Sequence, residues 1–136
     1  MKVFYLIKKS LIISLLSLIL ACGAETIAAI VFIPAFTATW PVVGGNGYSF
    51  SIQSDEEGEE SGEIFGAEID YPNDIDGLEN PFTGSFNGLD IEFTVTRDDD
   101  SKVKFSGKMV PKSNEDHQII RYNLSSPEGN IVLSFD

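Results

Sequence analysis

Apolar and polar residues alternate along most of the chain after residue 46. A period of two is typical of strands with one buried face and one face in water. It predicts seven strands, at about 47–53, 63–71, 82–86, 89–96, 102–110, 118–124 and 130–135, and an eighth within 29–40. No stretch of this region has a persuasive helical period. We therefore expect an all-β fold, a single small antiparallel β-barrel or β-sandwich of about seven to eight strands.

The connections between these strands are short, which favours an up-and-down meander over a Greek key. Asn87-Gly88 separates two alternating runs and predicts a type I′ turn, because both residue types tolerate a positive φ. That turn would set Phe86 opposite Leu89. The next loop is predicted to contain five residues, because a four-residue loop would turn one apolar set outward. Its expected pairs are Phe93 with Phe105, Val95 with Val103, Thr94 with Lys104, and Asp90 with Lys108.

The alternation also groups the apolar side chains by face. The sets that share a face are Tyr48, Phe50 and Ile52; Phe65, Ala67, Ile69 and Tyr71; Ile120, Tyr122 and Leu124; and Ile131, Leu133 and Phe135. Trp40, the only tryptophan, is interpreted as a core plug rather than as part of a ligand site. Gly84 and Gly107 fall on the inward face. There they either relieve crowding where strands bend or leave space for a small apolar ligand.

The first residues of the chain follow another pattern. Lys2, Lys8 and Lys9 precede an apolar run over 11–21 that contains no charge. A basic start followed by an apolar run of this length is typical of a signal peptide and is short for a bilayer span. The pattern therefore predicts a leader that directs export.

The end of this leader resembles the lipobox of bacterial lipoproteins. The matching residues are Leu18-Ile19-Leu20-Ala21-Cys22-Gly23, with Ala21 as the small residue and Cys22 as the lipid acceptor. The resemblance implies cleavage between Ala21 and Cys22, a diacylglycerol thioether on Cys22, and usually an acyl chain such as palmitate on its new amino group. Cys22 is the only cysteine, so it cannot form an intramolecular disulfide.

This interpretation divides the chain into three parts. Residues 1–21 are the lipoprotein signal peptide, 22–36 the lipidated N-terminus and tether or first strand, and 37–136 the all-β domain. The expected location is the cell envelope, and the outer membrane if the source is Gram-negative, because Gly23 replaces the aspartate that usually retains a lipoprotein in the inner membrane. The alternative is an uncleaved membrane helix over 10–36. Glu25 near its middle would cost about 2.5–3.5 kcal/mol.

The net charge limits the partners of the mature chain. Three of the nine basic residues lie in the leader, so six remain against all 21 acidic residues, a net charge of −15. Such a surface repels phosphate backbones, which excludes nucleic acid as a partner. The expected partners are the membrane, through lipid on Cys22, and a small apolar ligand or an envelope protein.

Two segments contain side chains that could support chemistry. The acidic loop 70–80 offers Asp70, Asp74, Asp76 and Glu79 as hard oxygen ligands for Ca²⁺, although its spacing does not match the EF-hand pattern. His117 is the only histidine and lies in a polar turn without the partners that a general base or zinc site needs. No catalytic residues are predicted.

The hairpin region resembles the small lipocalin-like barrels found among bacterial lipoproteins. The matching pattern is Phe82-x-Gly84-x-Phe86-x-Gly88-x-x-Ile91-x-Phe93. The lipobox, the acidic surface and the 70–80 loop together lead to two expected functions. The first is a membrane-anchored acidic lipoprotein that acts as a binding or envelope structural module. The alternative is a calcium-dependent hydrolase that uses the 70–80 loop.

Overall fold

The computed structural model describes residues 32–72 and 77–136, and all of its strands lie in one compact unit, Phe32–Asp136. The strands are β1 (Ala38–Pro41), β2 (Ser49–Gln53), β3 (Ser61–Ile69), β4 (Asn80–Asn87), β5 (Asp90–Thr96), β6 (Lys102–Pro111), β7 (Ile119–Ser126) and β8 (Gly129–Ser134). Each strand pairs antiparallel with the next, in the order β1 to β8. The protein is therefore all-β, with an up-and-down meander, as the sequence predicts.

The sheet curls until its first and last strands meet. The Val43 N–H donates to the Val132 carbonyl oxygen over 2.9 Å, and Val42 bridges Leu133. The result is a nearly closed barrel with two ends. The chain enters at one end with 32–37, beside the loops 54–60 and 112–118; we call this the Phe36 end. The loops 42–48, 97–101 and 127–128, together with the described loop residues 70–72 and 77–79, lie at the other end, which we call the Arg97 end.

Aromatic rings fill the barrel interior. Phe50 lies at the centre, with its ring 5.7 Å from that of Phe93 and 5.3 Å from that of Phe105, measured between centroids. Trp40 is buried at the Phe36 end, where its indole N–H donates to the Phe36 carbonyl oxygen over 2.9 Å. Trp40 thus packs in the core, as predicted. An eight-stranded barrel has an interior that side chains can fill, and here they do so.

The β5–β6 hairpin has the predicted register. Val95 pairs with Val103 and Phe93 with Phe105, so both apolar sets face the core. Asp90 pairs with Lys108 on the outer face, where the two side chains form an ion pair. The five-residue loop was inferred from the requirement that both faces match, and the structure confirms it.

The β4–β5 turn differs from the prediction by one residue. Asn87 pairs with Asp90 and Phe86 with Ile91, so the turn consists of Gly88 and Leu89. Only Gly88 in this turn has a positive φ, 56°. A positive φ at the first central position alone fits a type II′ turn, which takes glycine there, whereas type I′ needs it at both. The pairing of Phe86 with Leu89 was therefore wrong.

The apolar set of β3 faces outward, not into the core. Phe65 is exposed and Ala67 and Ile69 are only partly covered, while Ile64 and Glu68 are buried. Gly66 is one reason why this face of β3 points into the core, because a Cβ at that position would overlap the Ser51 carbonyl oxygen of β2. Only glycine permits the strands to approach so closely there. As a result, Glu68 of β3 faces inward and places a carboxylate in the core.

The faces near the Phe36 end also depart from simple alternation. A register shift between Val110 and Pro111 turns Ile119 inward and leaves Ile120 exposed. Phe135 lies beyond the end of β8 and is 65% exposed, with its ring against Trp40. The shift leaves one extra residue in β7, so Ile119 and Tyr122 both face inward, with the outward Ile120 and Arg121 between them.

Gly84 and Gly107 lie where neighbouring strands come closest. A Cβ at Gly84 would overlap the Glu92 carbonyl oxygen, and one at Gly107 would overlap that of Asn123. These glycines therefore relieve crowding where the sheet coils, which is the first of the two interpretations given above.

Candidate functional site

The inward-facing charged and amide side chains of the described residues gather at the Arg97 end. Glu68 is the inward residue near the end of β3, and Asn80 is its direct partner at the start of β4. Arg97 follows β5, so continuing the β4–β5 register by two residues brings it beside Asn80. Tyr48 and Glu128 arrive from the neighbouring loops. The meander thus assembles the cluster from five segments that are distant in sequence.

An arginine held between two carboxylates forms the centre of this cluster. Arg97 donates from Nε to Glu68 Oε1 over 3.1 Å and from Nη2 to Glu68 Oε2 over 3.0 Å. It also donates to both Glu128 oxygens, over 2.6 and 2.7 Å. The Arg97 side chain is 11% exposed and that of Glu68 0%. A buried carboxylate is stable only when it is paired in this way.

Two further donors complete the hydrogen bonding of the Glu68 carboxylate. The Tyr48 hydroxyl donates to Oε2 over 2.6 Å, and Asn80 Nδ2 donates to Oε1 over 3.0 Å. Tyr71 supports Arg97 from outside, with its ring centroid 3.6 Å from the guanidinium carbon and its hydroxyl donating to Glu128 over 3.0 Å. A cation over an aromatic face in this geometry is attractive.

The pKa shifts agree with these contacts. Burial, and then the hydrogen bond to Glu68, raises the pKa of the Tyr48 hydroxyl well above its ordinary range, so that it remains a donor. Burial opposes the charge on Arg97, but its hydrogen bonds to Glu128 and Glu68 outweigh this and raise its pKa. Those bonds from Arg97, with a smaller contribution from Tyr71, hold the pKa of Glu128 below its ordinary value.

A cleft of about 440 Å³ opens beside Arg97. Its walls come from Tyr71, Asn80, Glu128 and four residues of loop 97–101. Asn80 is 2% exposed, and its Oδ1 is the single buried side-chain polar atom of the described residues that has no hydrogen-bond partner. A buried acceptor left without a donor costs about 1–3 kcal/mol. Asn80 therefore lines the cleft and carries a buried oxygen that the described residues leave without a hydrogen bond.

The calcium candidates are only partly described. Asp70 and Glu79 are both exposed at the Arg97 end, whereas Asp74 and Asp76 lie outside the described residues. Across 32–72 and 77–136, no three His, Cys, Asp or Glu side chains form a group that could hold a metal ion. Calcium binding by the whole loop stays a prediction, and so does the calcium-dependent hydrolase.

His117 has a structural role. Its ring stacks on Phe32 at 4.0 Å between centroids, and its Nδ1 accepts the Ile33 N–H over 3.2 Å. The Ala35 N–H also donates to the His117 carbonyl oxygen over 3.1 Å. These contacts hold the segment 32–35 against the start of β7.

Ala21 and Cys22, the predicted cleavage and lipidation residues, lie outside the described residues, as does most of the alternative membrane helix over 10–36. In 32–72 and 77–136 there is no helix with the length and apolar character needed to cross a membrane.

Comparison of the chain with protein families, with curated proteins and with solved structures finds no match. What the site can do therefore has to follow from its own geometry. The sequence pattern did not single out Glu68, Arg97, Asn80, Tyr48 or Glu128. The usable signal was the scarcity of arginine: Arg97 is one of only two in the chain, next to three aspartates.

Proposed function

We propose that this chain is a lipid-anchored protein of a bacterial cell envelope and that its barrel is a binding module acting through the Arg97 end. The observation that supports binding at the outer surface is that side chains fill the barrel interior. Phe50, Phe93 and Phe105 pack ring against ring at its centre. Because these rings occupy the space in which a lipocalin-like barrel would hold an apolar ligand, recognition is assigned to the outside of the barrel.

The position of the tether favours the Arg97 end. In this proposal nine residues separate the lipidated Cys22 from Phe32, where the described chain begins. The chain joins the barrel at the Phe36 end, so the anchored end and the polar cleft are at opposite ends of the strands. The loops around Arg97 are then the part of the barrel farthest from its attachment.

The charge of the mature chain fits this arrangement. A net charge of −15 repels anionic lipid headgroups, while each buried methylene of the lipid contributes about 0.8 kcal/mol to anchoring. The lipid would hold the protein, and the repulsion would keep the acidic barrel off the membrane surface.

The anchor is tested by the intact mass of the protein extracted from membranes. The wild type should lack residues 1–21 and carry the mass of two or three acyl chains. Cys22→Ser should remain uncleaved and without lipid, whereas Gly23→Ser, which keeps the thiol, should be processed as the wild type is. A wild-type chain of full-length, unmodified mass would contradict the proposal.

A further inference from the structure

Two of the seven asparagines in the chain, Asn46 and Asn87, are followed by glycine. In such a pair the glycine backbone nitrogen can attack the carbonyl carbon of the asparagine side chain. Glycine has no Cβ to obstruct the approach, and the two reacting groups are already held in one chain. Because the reacting groups are identical at the two sites, a difference in reactivity between them has to come from the fold.

The Asn46–Gly47 pair forms an exposed turn in the loop between β1 and β2. The φ values are 51° at Asn46 and 101° at Gly47, and the Tyr48 N–H donates across them to the Gly45 carbonyl oxygen over 3.2 Å. Two positive φ values in this position are typical of a type I′ turn. Both residues are exposed, and among the described residues the Gly47 N–H has no acceptor. The attacking nitrogen at this site is therefore open to water, which can take its proton.

The Asn87–Gly88 pair is held by the sheet instead. Asn87 is the last residue of β4 and pairs with Ser61 of β3 and with Asp90 of β5. Gly88 is half-buried, and its N–H donates to the Glu60 carbonyl oxygen over 2.8 Å. Attack by this nitrogen requires the loss of that hydrogen bond and a local opening of the strand end. Both requirements make the reactive geometry rarer than in the exposed turn.

We propose that Asn46 is a site of spontaneous deamidation through a succinimide, and that the fold protects Asn87 from the same reaction. The Gly47 nitrogen forms a bond to Asn46 Cγ and gives up its proton, while the Cγ–Nδ2 bond breaks and Nδ2 leaves as ammonia. Water then opens the succinimide ring. Hydrolysis at one ring carbonyl gives aspartate, and hydrolysis at the other gives isoaspartate. This reaction requires neither the anchor nor a ligand, so it goes beyond the proposed function.

The isoaspartate product would disturb the Arg97 end. It places an additional carbon atom in the backbone between residues 46 and 47, inside the turn that the hydrogen bond from Tyr48 to Gly45 closes. The hydroxyl of Tyr48 donates to the buried Glu68 over 2.6 Å. Deamidation therefore adds a negative charge beside the buried polar network and loosens the loop that positions one of its donors.

The test is incubation of the purified full chain at neutral pH and about 37 °C, since asparagine is a thermolabile residue. Proteolysis and mass spectrometry follow each site, because replacing the amide NH₂ by OH raises the peptide mass and fragmentation distinguishes aspartate from isoaspartate. We expect the peptide with Asn46 to convert at least about fivefold faster than the peptide with Asn87, the factor that corresponds to one hydrogen bond of about 1 kcal/mol. Isoaspartate should be present at residue 46.

The unfolded chain and one variant are the controls. In concentrated guanidinium chloride the two peptides should convert at similar rates, because the hydrogen bond from Gly88 to Glu60 is then lost. Asn46→Gly keeps the positive φ of the turn and removes the reacting amide. After the same incubation the wild type should show a lower Tm than before, whereas Asn46→Gly should keep its Tm.

Several outcomes would overturn the proposal. Equal conversion of Asn46 and Asn87 in the folded protein would show that the fold does not select between the sites, and no conversion at Asn46 would show that the turn blocks the reaction. Aspartate without isoaspartate at residue 46 would mean direct hydrolysis instead of a succinimide. An equal fall in Tm for Asn46→Gly would separate the loss of stability from this site.

Discussion

Glu68 shows how a buried carboxylate can be fully satisfied. Its two oxygens accept four hydrogen bonds, two from Arg97, one from Tyr48 and one from Asn80. Four is about the number of lone-pair positions that a carboxylate offers. Replacing this carboxylate by an amide would turn an NH₂ group toward the N–H donors of Arg97 or Asn80, at a side chain that is 0% exposed.

We expect Glu68→Gln to lower the free energy of unfolding by about 3 kcal/mol, because breaking one partner of a buried ion pair leaves the other uncompensated. Urea unfolding followed by circular dichroism measures this. The control is Glu63→Gln, which removes the same charge from an exposed position of β3 and should change stability by less than about 0.5 kcal/mol. Equal effects of the two variants would show that Arg97 does not depend on Glu68.

The Arg97–Glu128 pair should respond to acid. The pKa of Glu128 is lowered in the folded protein, so its stabilising contribution is present above the ordinary value of 4.5 and is lost as the pH falls through the lowered value. Wild type should therefore be more stable than Glu128→Gln at pH 7, with a difference that shrinks below about pH 4.5. Urea midpoints from pH 7 to pH 3 measure it.

Glu128 is 41% exposed, so solvent screening keeps this difference small. Glu115→Gln, an exposed glutamate of the Phe36 end, controls for the general loss of a negative charge. A difference that stays constant over the whole pH range would contradict the role given to Arg97.

The polar network could not be predicted from the sequence for a physical reason. Phe65, Ala67 and Ile69 alternate with Glu68, so the pattern places the carboxylate in water. The structure reverses this because Gly66 permits close strand approach and Arg97 supplies the counter-charge from 29 residues away. A pairing over such a distance leaves no local signal.

At the scale of elements, hairpins were predictable where two constraints agreed. The β5–β6 loop was fixed by matching apolar faces on both strands, and its register is correct throughout. The β4–β5 turn was inferred from Asn87-Gly88 alone, and it lies one residue further on. The Val110–Pro111 bulge had no signal in the alternation, so the outward position of Ile120 was missed.

The corrected turn makes opposite predictions for two neighbouring residues. Gly88→Ala should cost about 1–2 kcal/mol, because its φ of 56° places a Cβ in the left-handed region. Asn87→Ala should change stability by less than about 0.5 kcal/mol, since Asn87 is an exposed strand residue. Thermal unfolding of both variants tests this, and a cost for Asn87→Ala as large as that for Gly88→Ala would favour the type I′ turn instead.

At the scale of the whole molecule, binary pattern and short loops were enough to predict a single antiparallel meander, but they left a barrel and a sandwich both open. The meander follows because each strand is followed closely by its partner, from β1 to β8. The end of the barrel is closed by contacts between residues distant in sequence, which no local pattern indicates. One such contact joins Phe36, which is buried there, to Phe86, with 4.9 Å between ring centroids. The sheet order was therefore predictable, and the plugging of its end by Phe36 was not.

The charge of the whole barrel should make its stability depend on salt. Residues 22–136 contain six basic and 21 acidic side chains, and the excess negative charges repel one another more in the compact state than in the unfolded chain. Salt screens this repulsion over about 8–10 Å, so raising NaCl from about 10 to 300 mM should raise the Tm of the membrane-extracted protein. Replacing the exposed Glu59 and Glu60 by lysine should reduce that rise, since it brings the net charge of residues 22–136 from −15 to −11. A Tm that falls with salt would mean that the ion pairs around Arg97 outweigh the repulsion, because screening would then remove more attraction than repulsion.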